Sequence, residues 1–85
     1  MKGEFYQMSV EVYYVIMNEK GEFFAYDNNS GGYPYFGKNF KNGEKFKTME
    51  MANDFLHFSE YTQRMFKKEF VNCVIKKVAV TYMIT

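Results

Sequence analysis

The chain has 85 residues, enough for one domain spanning 1–85 and too few for a second. Its formal net charge of +1 excludes a polyanionic mimic of nucleic acid and argues against binding mainly through many phosphate contacts. Ten Phe and eight Tyr are more rings than a small core easily hides, so we expect some of them on a recognition surface.

The single cysteine, Cys73, excludes an internal disulfide. It lies in the apolar run V-N-C-V-I, where a buried, inert thiol is expected. No charged-apolar-small signal segment opens the sequence, and the longest apolar run, residues 12–17, falls short of the roughly 20 residues that a spanning helix needs. We therefore expect a cytoplasmic protein without a membrane partner.

The first predicted element is a β-hairpin. Residues 8–17 alternate in hydrophobicity, which places five side chains on one face of a strand: Met8, Val10, Val12, Tyr14 and Ile16. Residues 18–21 (N-E-K-G) predict a tight turn in which Gly21 supplies a positive φ. Residues 22–26 (E-F-F-A-Y) return as the second strand.

Residues 27–43 read D-N-N-S-G-G-Y-P-Y-F-G-K-N-F-K-N-G and hold the only Pro and four of the six Gly. We predict a long aromatic loop, because loops of this length are usually functional or disordered and disordered segments are poor in rings. In one interpretation Pro34 holds Tyr33 and Tyr35 in a rigid turn that displays them. In the other, both tyrosines fold back as part of the sheet, at an edge because Pro34 forbids a central strand.

Residues 49–68 predict a helical layer. Thr48 is a suitable N-cap, and Glu50 lies in the positive first turn. Ser59 interrupts the apolar stripe and could itself cap a helix, so the segment is either one helix or two short ones.

Residues 70–84 predict the last strand. Its apolar positions change parity across Lys76 and Lys77, which a β-bulge would reconcile; the alternative is a strand buried on both faces at one end. The predicted fold is α+β: a small antiparallel sheet with one helical layer in the order β-β-loop-α-β.

No arrangement of residues predicts catalysis, a metal site or a cofactor. Cys73 and His57 could meet only by packing, and an inert thiol with a surface imidazole is the favoured interpretation. His57 and Glu60 are one helical turn apart but lack further ligands. Gly31, Gly32 and Gly37 do not form a phosphate-binding loop. We therefore predict a protein that is not an enzyme.

Two blocks carry a resemblance: residues 13–27 (Y-Y-V-I-M-N-E-K-G-E-F-F-A-Y-D) and residues 44–52 (E-K-F-K-T-M-E-M-A). They resemble small phage and mobile-element proteins of low-GC Gram-positive bacteria. The resemblance implies a protein of the host cytoplasm that binds a host enzyme or a defence nuclease, as anti-CRISPR and anti-restriction proteins do. It carries over no catalytic residue.

The leading hypothesis is a non-enzymatic binding protein that inhibits or modulates a bacterial protein. Aromatic anchors with basic neighbours are typical of energetic interface centres, and the predicted contact residues are Tyr33, Tyr35, Phe36, Lys38, Phe40 and Lys41. A second hypothesis is a nucleic-acid-binding module that uses the Phe- and Lys-rich residues 36–47. A third is an oligomer that sequesters a small molecule between protomers.

We also expect a homodimer. The last strand is long for so small a domain, and one helical layer offers too little cover for its apolar face. Pairing a protruding strand with a second copy would satisfy both its backbone and that face. In the alternative, the aromatic loop folds over the exposed end and leaves a monomer.

Overall fold

The computed structural model describes residues 7–84. These residues form β1 (Gln7–Met17), β2 (Phe23–Asp27), β3 (Tyr33–Gly37), α1 (Met49–Phe58) and β4 (Val74–Ile84). The strands make one antiparallel sheet in the order β3-β2-β1-β4. An antiparallel sheet with one helical layer confirms the predicted α+β class.

The predicted hairpin between β1 and β2 is present. The Asn18 side-chain oxygen accepts hydrogen bonds from the backbone N–H groups of Lys20 (3.0 Å) and Glu22 (2.9 Å). Gly21 has a φ of 80°, the left-handed conformation that the turn requires. Asn18 and Gly21 therefore determine where β1 ends and β2 begins.

The segment predicted as a long loop contains the edge strand β3. The Asp27 carboxylate accepts from the N–H of Asn29 (3.0 Å), and Gly31 and Gly32, both at positive φ, turn the chain back. β3 pairs with β2 along its length, so Tyr33 and Tyr35 belong to the sheet, as in the second interpretation above. Pro34 is tolerated there because an edge strand can do without one N–H.

Residues 44–46 enter the sheet where β1 and β2 separate. Met17 and Phe23 are direct partners, but farther along β1 the N–H and carbonyl of Tyr14 bond instead to Phe46, at 2.8 and 2.9 Å. The N–H of Glu44 donates to the carbonyl of Phe24 (2.8 Å). This insertion satisfies backbone groups that the diverging strands would otherwise leave unpaired.

The helical layer is one α-helix followed by shorter turns. Thr48 caps α1, since its hydroxyl accepts from the N–H of Met51 (3.1 Å). After Ser59 the chain forms a π-helical turn, Tyr61–Met65, and a 3-10 turn, Lys67–Phe70. The break at Ser59, left open by the sequence, therefore ends the α-helix without starting a second one.

Buried Thr62 closes the carboxyl end of α1. Its hydroxyl lies 2.8 Å from the carbonyl oxygen of Phe55 and 2.9 Å from that of Leu56. The Ser59 hydroxyl also donates to the Phe55 carbonyl (2.6 Å), and the Gln63 amide donates to that of Leu56 (2.8 Å). Side chains thus replace the backbone donors that these terminal carbonyls lack.

The clustered core lies between α1 and one face of the sheet, while Tyr13, Val15 and Ala25 are buried on the opposite face. Ile16 and Phe24 point to this helix-side face and cluster with Leu56, Phe70 and Cys73. The opposite face, here called the back face, carries Met17 and Phe23, because successive strand residues alternate.

β4 pairs with β1 without a bulge. Every residue from Gln7 to Met17 has a direct partner in β4, running from Ile84 to Val74, so the predicted bulge is wrong. The parity change has another origin. Ile75 lies opposite Ile16 on the helix side, whereas the later apolar residues, Val78 among them, lie on the back face.

The end of this pair projects past the helical layer. Beyond the Tyr14–Phe46 bridge, residues 7–12 and 79–84 form a two-stranded segment, here called the ribbon tip. Its side chains on the helix side include Met8, Val10, Val12 and Met83, all exposed. The expectation that one helical layer leaves part of the last strand uncovered agrees with this geometry.

Replacing Thr62 by Val should lower the free energy of unfolding by about 1–2 kcal/mol, because the shape is kept while a buried hydroxyl that serves two helix-terminal carbonyls is lost. Urea unfolding measures the change. Thr81→Val is the matched control, as Thr81 is exposed on β4, and it should stay within about 0.5 kcal/mol. Equal effects of the two substitutions would contradict the capping role of Thr62.

Candidate partner-binding surface

The six predicted contact residues lie on β3, directly after it, or in the 3-10 turn Phe40–Asn42. Tyr35 is 43% exposed, and Phe40 is 36% exposed with its ring edge-on to Phe23, 6.4 Å between centroids. Lys38 and Lys41 are exposed. These four side chains are therefore accessible to a partner.

Tyr33 is accessible but lies toward the helical layer. Its ring packs edge-on against Phe66 with 5.1 Å between centroids, and the residue is 60% exposed. The neighbouring Gly32 carbonyl accepts a 2.7 Å hydrogen bond from the Tyr61 hydroxyl. This bond ties the start of β3 to the π-helical turn.

Phe36 is the predicted contact residue that points inward. Its half-buried ring lies 6.1 Å from Phe24 and 5.7 Å from Phe70, between centroids. Alternation along β3 explains the difference, because Tyr35 and Phe36 must point to opposite faces. A substitution of Phe36 would act first on the stability of the core.

Tyr35 and Lys38 share a shallow depression with Phe23 on the back face. Its other lining residues are Ala25, Gly37, Asn39 and Asn42. The register explains the grouping, since Ala25 pairs with Tyr35 and Phe23 with Gly37. The depression therefore has an aromatic floor and one cationic edge.

An open groove of about 400 Å³ adjoins this depression. Phe23 lines both, Met17 and Phe40 continue the apolar floor, and residues 76–79 of β4 form the opposite side. Phe23, Tyr35, Lys38, Phe40 and Lys41 are here called the aromatic–lysine surface. Phe23 was not among the predicted contact residues, although its place opposite Met17 in the predicted hairpin was a usable signal.

The lysines of this region are not neutralised by carboxylates of the described chain. Between residues 7 and 84, the one salt bridge joins Arg64 to Glu60 at 3.4 Å. Lys45 already has partners within the chain. Its ammonium donates to the Lys41 carbonyl (3.1 Å) and lies 5.3 Å from the centre of the Tyr13 ring. The surface thus combines an apolar floor with available positive charge.

Cys73 is buried, whereas His57 is exposed. Burial raises the pKa of the Cys73 thiol to about 11, with the Glu19 carboxylate as a second cause, and its Sγ lies 3.7 Å from the Glu69 carbonyl. A nucleophilic cysteine needs the opposite shift. His57 is exposed on α1. In the described part of the chain, no three His, Cys, Asp or Glu side chains are grouped to hold a metal ion.

No protein-family model, curated protein or solved structure matches this chain. Among residues 7–84, the helices are too short or too polar to cross a lipid bilayer. The function is therefore inferred from the surface itself and from the sequence resemblance.

The raised pKa of Cys73 predicts a loss of stability in alkali. Between pH 9, near the thiol's ordinary pKa, and about 11, the unfolded chain releases this proton while the folded chain retains it. Ionisation of the Cys73 thiol should therefore leave the free energy of unfolding unchanged below pH 9 and lower it as pH rises above 9.

Urea unfolding at about pH 8 and about pH 10.5 measures this slope, and Cys73→Ala should make it shallower. A smaller slope should persist, because burial, Tyr26 and Glu69 raise the pKa of Tyr61 to about 12. An unchanged slope in Cys73→Ala would show that folding does not raise the pKa of the thiol.

Proposed function

We propose that this protein is a non-enzymatic binding protein that inhibits or modulates a bacterial host or defence protein. The observation that supports the proposal is the aromatic–lysine surface, where exposed rings adjoin an apolar groove bordered by lysines. Rings of this kind are typical anchors at the centre of protein interfaces, with charged residues at the rim.

The surface indicates the chemistry of the partner. Phe23, Phe40 and Met17 offer an apolar floor on which a ring or an aliphatic side chain of the partner would lose its water shell. Lys38 and Lys41 would attract carboxylates. The fitting partner presents an apolar side chain flanked by Asp or Glu.

The placement of the rings favours a protein partner over a nucleic acid. Base stacking needs exposed rings, but Phe36 is half-buried against Phe24 and Phe70, and Phe46 lies 5.3 Å from Phe55. Of the three Phe residues within residues 36–47, Phe40 alone is accessible, and it rests against Phe23.

The resemblance of residues 13–27 and 44–52 to phage and mobile-element proteins supports a host enzyme or a defence nuclease as the target. Small phage proteins of that kind often act by binding their target, which requires a recognition surface and no catalytic group. Neighbouring capsid, lysis or defence-inhibitor genes would support this context.

Affinity capture from a bacterial lysate, with and without nuclease, tests the proposal. Capture of one protein in both arms, and inhibition or stimulation of its activity by the added chain, is the expected result. Binding should change little when salt is raised, whereas phosphate binding weakens steeply. Capture that disappears with nuclease and falls steeply with salt would instead favour the nucleic-acid hypothesis.

Tyr35→Ala and Phe40→Ala should each weaken binding of the captured partner by at least about tenfold, because truncating an interface anchor commonly costs more than 1 kcal/mol. The unfolding free energy should fall by no more than about 1 kcal/mol for Tyr35→Ala, and by up to about 2 kcal/mol for Phe40→Ala, because the Phe40 ring is partly buried against Phe23. Isothermal titration calorimetry and urea unfolding measure the two quantities.

Phe58→Ala is the matched control, because Phe58 is 75% exposed on α1 and lies outside the aromatic–lysine surface. It should bind like the unmodified chain. If Phe58→Ala weakens binding and the other two variants do not, the partner binds the helical layer and the proposed surface is wrong.

A further inference from the structure

Within residues 7–84, no strand pairs with the outer edge of β4, because β4 pairs only with β1. The backbone groups of successive strand residues point to opposite sides. Those of Tyr14 point away from β4, toward Phe46, so those of Tyr13 point toward β4 and bond to its partner Val78. Alternation then directs the N–H and carbonyl groups of residues 75, 77, 79, 81 and 83 outward.

We propose that a second copy of this chain covers this edge, with the two β4 strands antiparallel about a two-fold axis at Ala79. The axis falls at the midpoint of β4, so all eleven residues of the strand find partners. Five hydrogen-bonded pairs then exchange about ten backbone bonds, the number typical of a stable interface.

The apolar side chains of β4 are self-complementary in this register. Val74 would face the second copy's Ile84, Ile75 would face its Met83, and Val78 would face its Val80. Val74, Met83 and Ile84 are exposed in the single chain. The register therefore gives each an apolar neighbour on the same face, as cross-strand stabilisation requires.

Charge also fits this register. Lys76 would lie opposite the second copy's Tyr82, on the back face. In each chain the Tyr82 hydroxyl donates to the Glu11 carboxylate at 3.0 Å. The Lys76 ammonium would thus reach a ring and, beyond it, a carboxylate, and symmetry repeats the contact.

Other registers are less favourable. An axis at Lys77 would oppose two ammonium groups directly, which destabilises a strand pair. An axis at Thr81 would pair only the last seven residues and leave residues 74–77 uncovered. The axis at Ala79 combines full overlap with no like-charged pair.

The opposite edge of the sheet explains why the assembly would stop at two copies. Residues 78–84 (V-A-V-T-Y-M-I) carry no charge and no Pro, a composition that invites strand addition at an open edge. The other edge is β3, where Pro34 lacks an N–H donor. A dimer through β4 therefore covers, in both copies, the edge that is prone to strand addition.

Disulfide trapping tests the register. Cysteines at position 79 would have Cα atoms about 5.5 Å apart, within disulfide range, whereas those at position 81 would be about 14 Å apart. Ala79→Cys should form a covalent dimer on mild oxidation and Thr81→Cys should not; both positions are exposed on the helix-side face. The unmodified chain controls for buried Cys73.

Val10→Cys controls for the short open edge of β1, which begins beyond the Tyr14–Phe46 bridge. Cross-linking through residue 81 or residue 10 in place of residue 79 would overturn the Ala79 register. Circular dichroism verifies that each variant is folded.

Light scattering of the unmodified chain at micromolar concentration should give twice the 10.2 kDa of one chain. Ala79→Lys should give a folded monomer, because two ammonium groups would meet at the axis. Val10→Lys adds the same charge to the same face on the neighbouring strand and should remain dimeric. A monomeric unmodified chain, or a dimeric Ala79→Lys variant, would refute the proposed interface.

Discussion

The packing of one ring, Phe24, holds the two layers together. It is fully buried and lies within 5.0–6.2 Å, between centroids, of five other rings, which come from both layers: Tyr26, Phe36, Phe55, Tyr61 and Phe70. Each contact adds dispersion and quadrupole attraction to the burial of apolar area. A chain without Trp can thus build a core from a few medium-sized rings, while the strands that extend past this cluster have no helical cover.

Local patterns predicted the parts of the fold that local chemistry determines. Alternation over residues 8–17, with a turn at Asn18 and Gly21, was sufficient for the first hairpin, and Thr48 marked the start of α1. The sequence left β3 open between a turn that displays Tyr33 and Tyr35 and an edge strand, because Gly, Asn and Pro surround a run of only five residues. Its pairing depends on β2, which no local pattern contains.

The remaining features of the fold and of the candidate surface depend on contacts between distant segments. The parity change in β4 indicated a bulge only on the assumption that a single face is buried; in the structure the helical layer ends before the strand does. The groove beside Phe40 could not be read from residues 27–43 alone, because its other side is β4. The inward direction of Phe36 follows from the β2–β3 register, which separates it from Tyr35.

The pairing of β1 with β4 has a consequence for biosynthesis. The two strands lie far apart in the sequence, so β1 leaves the ribosome well before its partner. At about 5–20 residues per second, several seconds pass before β4 is complete. β2, β3 and α1 can gather Phe24, Phe36 and Phe55 in that interval, but β1 keeps an unpaired edge until β4 has been made. Such long-range pairing slows folding. While β4 is missing, the unpaired edge of β1 is a site that a chaperone can bind.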